Sequence, residues 1–234
     1  MKHFTIVDFI LRRRGQFFAE IKDGIALPEK MRAMLILSSA FLVAYGTLLG
    51  STHSLWQTMS SATKLPLLFL VTLLICAPAL YVVNVLFGFN QSLDQSLALV
   101  LTAISITAIL LLSFAPITLF FVLTVRHHYQ IFKLLNVFFF VIAGTLGAAT
   151  LSQGMALIST ATQADSASAR PQLLFYLWLT VYAFVGSQVA WTLRPFFGHP
   201  NAPFELVRQL GGNFYTDILA SFGEILGFVI VKGG

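Results

Sequence analysis

Charge is what this chain has least of. Only 10% of its 234 residues are Asp, Glu, Lys or Arg, against 57% hydrophobic, where a soluble domain carries about 25% charged residues. So few charges cannot cover a water-facing surface, which excludes an ordinary soluble domain and requires lipid over much of the fold. Cysteine is nearly missing too. Cys76 stands alone in an apolar run, so no intrachain disulfide can form. The motifs of catalysis are also lacking: no H-E-x-x-H, G-x-G-D or G-x-S-x-G, and no glycine loop of the phosphate-cradling kind. No enzyme activity and no cofactor are therefore expected. His127 and His128 are adjacent, so on a helix they point about 100° apart. Without a nearby Cys, Asp or Glu they make no tetrahedral metal site.

The net charge of +5 is unevenly placed. Seven of the 14 basic residues precede residue 33: Lys2, Arg12, Arg13, Arg14, Lys22, Lys30 and Arg32. That distribution sets membrane topology rather than binding nucleic acid, and it places the N-terminus in the cytoplasm. Arg12, Arg13, Arg14 and Lys22 are the candidates for contact with anionic headgroups. The first 30 residues have no clean apolar run before an A-x-A site, so no cleavable leader is expected.

Residues 4–25 repeat apolar side chains at helical spacing: Phe4, Val7, Ile10, Leu11, Phe17, Phe18, Ile21 and Ile25. An interfacial amphipathic helix fits this pattern, as does a helix packed on a partner domain. Five apolar stretches follow, at 33–50, 66–87, 96–125, 132–151 and 172–193. Each approaches the roughly 20 residues needed to cross hydrocarbon, and none has a charge in its middle. The absence of an ionisable group at depth argues against ion-coupled transport. Pro66 and Pro171 mark helix starts, Ser92 and Gln95 have capping-box spacing, and Pro78 and Pro116 are interior and should kink their helices. Residues 214–231 read as a helix with Asp217, Ser221 and Glu224 on one face, interfacial rather than spanning. The expected fold is all-α: a polytopic membrane bundle of about five transmembrane helices with amphipathic interfacial helices at both ends. It divides into an N-terminal segment at 1–31, a transmembrane domain at 32–194 and a tail at 195–234. With a cytoplasmic N-terminus, five spans put the tail outside, and Arg126 and Lys133 with it, against the usual charge bias.

Gly46 and Gly50, with Gly144 and Gly147, are candidates for close helix packing. The segment W-T-L-R-P-F-F-G at 191–198 is the candidate interface, through Trp191, Arg194, Pro195, Phe196 and Gly198. As a membrane anchor it is an aromatic belt, a snorkelling arginine and a helix stop. As a docking corner it folds the tail back, with Arg194 meeting Glu205, Asp217 or Glu224.

Two stretches carry a family resemblance, F-F-A-E-I at 17–21 and L-F-G-F-N-Q-S-L-D-Q-S-L-A at 86–98, within a layout that matches over roughly residues 10–190. They resemble the Yip1-like multi-pass membrane proteins in their bacterial form. The ending W-T-L-R-P-F-F-G-H-P at 191–200 resembles a subset of bacterial membrane proteins. The resemblance implies five spans, a cytoplasmic N-terminus and no catalysis, in a bacterial inner membrane. Two functions stay open. One is a non-catalytic membrane subunit that joins itself or another membrane protein to organise or anchor an assembly. The other is a small oligomeric channel or transport component.

Overall fold

A computed structural model of the chain describes residues 3–52, 54–86, 92–124, 129–159, 170–197, 206 and 214–225. Every regular element among them is an α-helix: α1 (His3–Arg12), α2 (Arg14–Lys22), α3 (Leu27–Gly50), α4 (Leu55–Leu86), α5 (Leu93–Thr124), α6 (Tyr129–Ser159), α7 (Arg170–Leu193) and α8 (Phe214–Ile225). Four contain stretches long and apolar enough to cross a membrane: Leu27–Gly50, Leu55–Ala79, Leu93–Thr124 and Gln130–Leu157. The 32 residues of α4 and of α5 correspond to about 48 Å at a rise of about 1.5 Å per residue, beyond the roughly 30 Å of hydrocarbon.

Two helices begin well before their apolar stretches. α3 starts at Leu27 with Pro28 in its first turn. α4 starts at Leu55, so Pro66 lies inside it along with Pro78. The cause is a polar stripe. Gln57, Ser60, Ser61 and Lys64 fall on one face of the added turns and are all buried, so the segment is helical through packing rather than through continuous hydrophobicity. Pro116 is interior to α5. At the start of α5 the Ser92 N–H donates to Gln95 Oε1 (2.9 Å), and the Gln95 N–H donates to Ser92 Oγ (3.2 Å). These are the two reciprocal bonds of a capping box.

The long helices pack in the neighbour order α7–α4–α3–α5–α6. α7 runs antiparallel to α4: Trp178 Nε1 donates to the Cys76 carbonyl near one end, and Gln57 Nε2 reaches the Pro195 carbonyl at the other. α8 lies against both α6 and α7, and Tyr215 and Ser187 share a hydroxyl hydrogen bond of 3.1 Å.

Small residues bring two pairs of backbones together. A Cβ on Gly46 would sit 2.5 Å from the Ser61 carbonyl oxygen, and one on Gly50 2.5 Å from that of Gln57. Both therefore press α3 onto α4. Gly147 presses α6 onto α5 at Thr107 and Ala103, whereas a Cβ on Gly144 would meet nothing within 4 Å.

The N-terminal helices close one end of the bundle. Ile6, Phe9 and Ile10 of α1 and Phe17, Phe18 and Ile21 of α2 are buried in one cluster with Met34, Leu99, Leu151 and Trp178. The chain then reverses through two left-handed residues, Gly24 (φ 73°) and Ala26 (φ 52°). Lys30, 1% exposed, locks that reversal. Its ammonium pairs with Glu20 at 2.7 Å and donates to the Ile25 carbonyl at 2.7 Å. A Gln95 side-chain bond to the Lys22 carbonyl (2.7 Å) fastens the end of α2 to α5.

The α3–α4 contact makes a graded prediction. Gly46→Ala and Gly50→Ala each overpack a backbone contact, at about 1–3 kcal/mol, and should lower the thermal midpoint in mild detergent by roughly 2–12 °C. Gly144→Ala should leave it unchanged. Equal midpoints for all three would contradict the packing described.

Candidate functional site

The end of the bundle opposite the N-terminal helices brings together buried polar side chains from four helices. On α4, Gln57, Ser61 and Lys64 follow at spacings of four and three, which puts them on one helical face. That face receives the chain leaving α7. Gln57 Nε2 donates to the Pro195 carbonyl (2.9 Å), and Ser61 Oγ donates to the Phe196 carbonyl (2.6 Å). Lys64 Nζ donates to the Pro195 carbonyl (3.4 Å) and to the carbonyl of Leu206. The carbonyls of Pro195 and Phe196 lie just past the end of α7, where Pro195 stops the helix and they have no intrahelical partners. The Arg194–Pro195 peptide bond is cis.

The side chains of the corner point to other helices. Arg194 lays its guanidinium over the Trp191 ring, 3.4 Å from the centroid, a cation–π arrangement within one turn. Trp191 is 8% exposed. Phe196 and Phe197 join the cluster of Leu42, Tyr45, Leu111 and Phe139. Phe197 meets Phe132 of α6 edge-on, with ring centroids 5.6 Å apart. The corner thus ties α7 to α4 by hydrogen bonds and to α6 by an aromatic contact.

A second polar group lies deeper. The Tyr45 hydroxyl of α3 donates to Asn136 Oδ1 of α6 at 2.8 Å and lies 3.2 Å from Thr118 Oγ1 of α5. Asn136 Nδ2 donates to the Phe132 carbonyl at 2.8 Å. One hydroxyl therefore joins three helices. Lys133, 9% exposed, lies one turn from Asn136 at the same end. The histidines 127 and 128 lie outside the described residues, and among the described residues no cluster of His, Cys, Asp and Glu forms a metal site.

Of the residues singled out in the sequence, Trp191, Arg194, Pro195 and Phe196 are brought together here, and Gly198 lies outside the described residues. So does Glu205, and the Asp217 and Glu224 side chains are likewise not described, so the expected pairing of Arg194 with these acids falls outside the described residues. Arg12, Arg13 and Arg14 are exposed at the α1–α2 junction, at the far end from this corner, with Lys22 half-buried. Arg12 forms only a surface pair with Asp8, at 3.1 Å. Sequence reasoning missed Gln57, Ser61 and Lys64, as well as Tyr45, Thr118 and Asn136. The first three carried a readable signal, the polar positions at helical spacing before Pro66. The second three carried none, because isolated Tyr, Thr and Asn are ordinary in apolar helices.

Comparison of the chain with protein-family models, with characterised proteins and with solved structures found no match.

Removing the α4 donors should release the corner. Loss of Ser61 Oγ leaves the Phe196 carbonyl without its donor, at about 1–3 kcal/mol, and loss of Gln57 leaves the Pro195 carbonyl only the longer bond from Lys64. The Gln57→Leu, Ser61→Ala double variant should be cut by chymotrypsin at Phe196 and Phe197 under conditions where the parent resists. Equal resistance would show that the hydrogen bonds do not hold the corner.

Proposed function

We propose that the chain is a non-catalytic integral membrane subunit that associates with itself or with a partner protein and anchors an assembly at a bacterial inner membrane. The observation that carries this reading is how its interior polar groups are used. Gln57, Ser61, Lys64, Tyr45, Thr118 and Asn136 bind other parts of the same chain. Such bonds make a stiff scaffold, since a hydrogen bond inside lipid has no water to exchange with. The Yip1-like layout supports the same role.

α7 serves as a fifth span in this reading. Its 24 residues lie antiparallel along α4 and are about 36 Å long, enough for the hydrocarbon. The basic N-terminus puts the α1–α2 end in the cytoplasm. There Arg12, Arg13 and Arg14, with exposed Leu11 and Ile25 on the same two-helix cap, meet anionic headgroups. The buried faces of α1 and α2 are used inside the bundle, so this contact is chiefly electrostatic.

Two measurements check the reading. Purified in mild detergent, the 25.8 kDa chain should run as a particle larger than one protomer, or bring a membrane protein with it at fixed stoichiometry. A lone protomer with no partner would overturn the reading, and ion conductance on reconstitution into planar bilayers would favour the channel instead. For orientation, a His3→Cys chain in a Cys76→Ala background should resist membrane-impermeant thiol reagents in intact cells and react after permeabilisation. Reaction in intact cells would reverse the topology.

A further inference from the structure

The α1–α2 hairpin closes its end of the bundle with an apolar face: Ile6, Phe9, Ile10, Phe17, Phe18 and Ile21 are all buried. Phe9, Phe17 and Phe18 meet edge-on in sequence, with ring centroids 5.4 and 5.9 Å apart. Phe18 lies on Gly154 of α6 so closely that a Cβ there would stand 2.6 Å from its ring. In water such a face would be held by hydrophobicity alone. At a membrane surface it is not. Lipid tails are as apolar as the bundle, and an amphipathic helix has an alternative resting place in the interface. Directional contacts therefore decide where the hairpin lies.

Two such contacts cross from the hairpin to the bundle. Glu20 of α2 pairs with Lys30 of α3 at 2.7 Å, and Lys30 is 1% exposed. The Lys22 carbonyl accepts from Gln95 of α5 at 2.7 Å. Two observations weigh on the other side. Ala26, in the hinge between α2 and α3, holds φ at 52°, a left-handed conformation that is strained for a residue with a Cβ. Opening the turn relieves that strain. On the outward side of the hairpin Arg12, Arg13 and Arg14 are exposed, and anionic headgroups attract them.

We propose that the α1–α2 hairpin is a releasable latch: the Lys30–Glu20 pair holds it on the bundle, and an anionic membrane surface draws it off, so that its apolar face turns from Gly154 and Leu99 into the lipid interface. Lys30, in the first turn of α3, then snorkels to water and headgroups. The latch rests on the headgroup contact proposed for this end and is independent of the assembly role.

The test uses the full chain, one copy per nanodisc, with Cys76→Ala and spin labels at Ala19→Cys on α2 and Thr145→Cys on α6, both exposed positions. A single copy removes assembly from the result, and a nanodisc offers both faces, so a reversed topology would not alter it. Distances between the labels are measured in phosphatidylcholine and in a mixture with phosphatidylglycerol. The labelled parent is compared with Glu20→Gln, with Ala26→Gly, and with a chain in which Arg12, Arg13 and Arg14 are all Gln. In phosphatidylcholine the parent should give one narrow distance, and phosphatidylglycerol should add a longer one. Glu20→Gln should raise the released-to-docked ratio by more than about tenfold, because it strands the buried ammonium of the docked state. Ala26→Gly should lower the ratio about fivefold, because glycine accepts the left-handed turn. The triple Arg variant should lose the response to phosphatidylglycerol. An unchanged single distance in every chain, or a second population that phosphatidylglycerol does not enlarge, overturns the proposal. If Glu20→Gln does not fold, the parent and Ala26→Gly decide, and equal ratios in the two overturn it. Relaxation of the Ala19 label by a lipid-borne paramagnet reports headgroup contact separately. Contact without release overturns the latch alone, and absence of both overturns the headgroup reading with it.

Discussion

The seat that Gln57, Ser61 and Lys64 provide for the carbonyls of Pro195, Phe196 and Leu206 governs the arrangement of this protein. A chain that stops a helix near hydrocarbon exposes carbonyl oxygens that water cannot fully reach, and something in the protein must take them up. Here one face of α4 does so. Once that face is committed to the corner, α7 has to lie along α4 in antiparallel register, and Phe197 has to fall on Phe132 of α6. The position of α7 thus follows from three donors on another helix.

The two ends of the bundle are built by different means. At the N-terminal end the contacts are mainly apolar, from Ile6 through Phe18 to Trp178, and one ion pair of Lys30 and Glu20 fixes the turn. Loss of Glu20 there would strand a buried ammonium, a change on the order of 3–5 kcal/mol. At the other end hydrogen bonds do the joining, and Tyr45 alone bridges three helices. An apolar interface tolerates small slips, whereas a bridge of defined donors and acceptors fixes rotation and depth of each helix. The polar end therefore sets the register of the bundle, and the apolar end closes it.

Much of this architecture is legible in the residues, and the gaps have physical causes. Long runs without charge reveal α3, α5 and α6, because lipid-facing helices must be apolar nearly throughout. The Ser92 and Gln95 spacing gives the start of α5, because a cap is a local bond between neighbours in sequence. The start of α4 is hidden. Its first turns owe their helicity to a partner 138 residues away, and no local pattern of hydropathy encodes that. Pro66 reads as a start for the same reason, since a proline within a helix and one at its beginning look alike without the tertiary contact. In the corner the aromatic and basic residues are conspicuous in sequence, but the bonds that hold it come from main-chain carbonyls, which every residue possesses.

The seat on α4 also has a history during synthesis. Gln57 leaves the ribosome 138 residues before Pro195. At roughly 5–20 residues per second, roughly 7–28 s pass between donor and acceptor. Through that interval a helix otherwise fit for lipid carries a lysine, a glutamine and a serine with their final partners not yet made. Either α4 waits at the headgroup layer, or its polar turns borrow water and lipid oxygens until the last long helix arrives. The membrane-inserted chain therefore reaches its final register late, when the corner displaces these temporary partners.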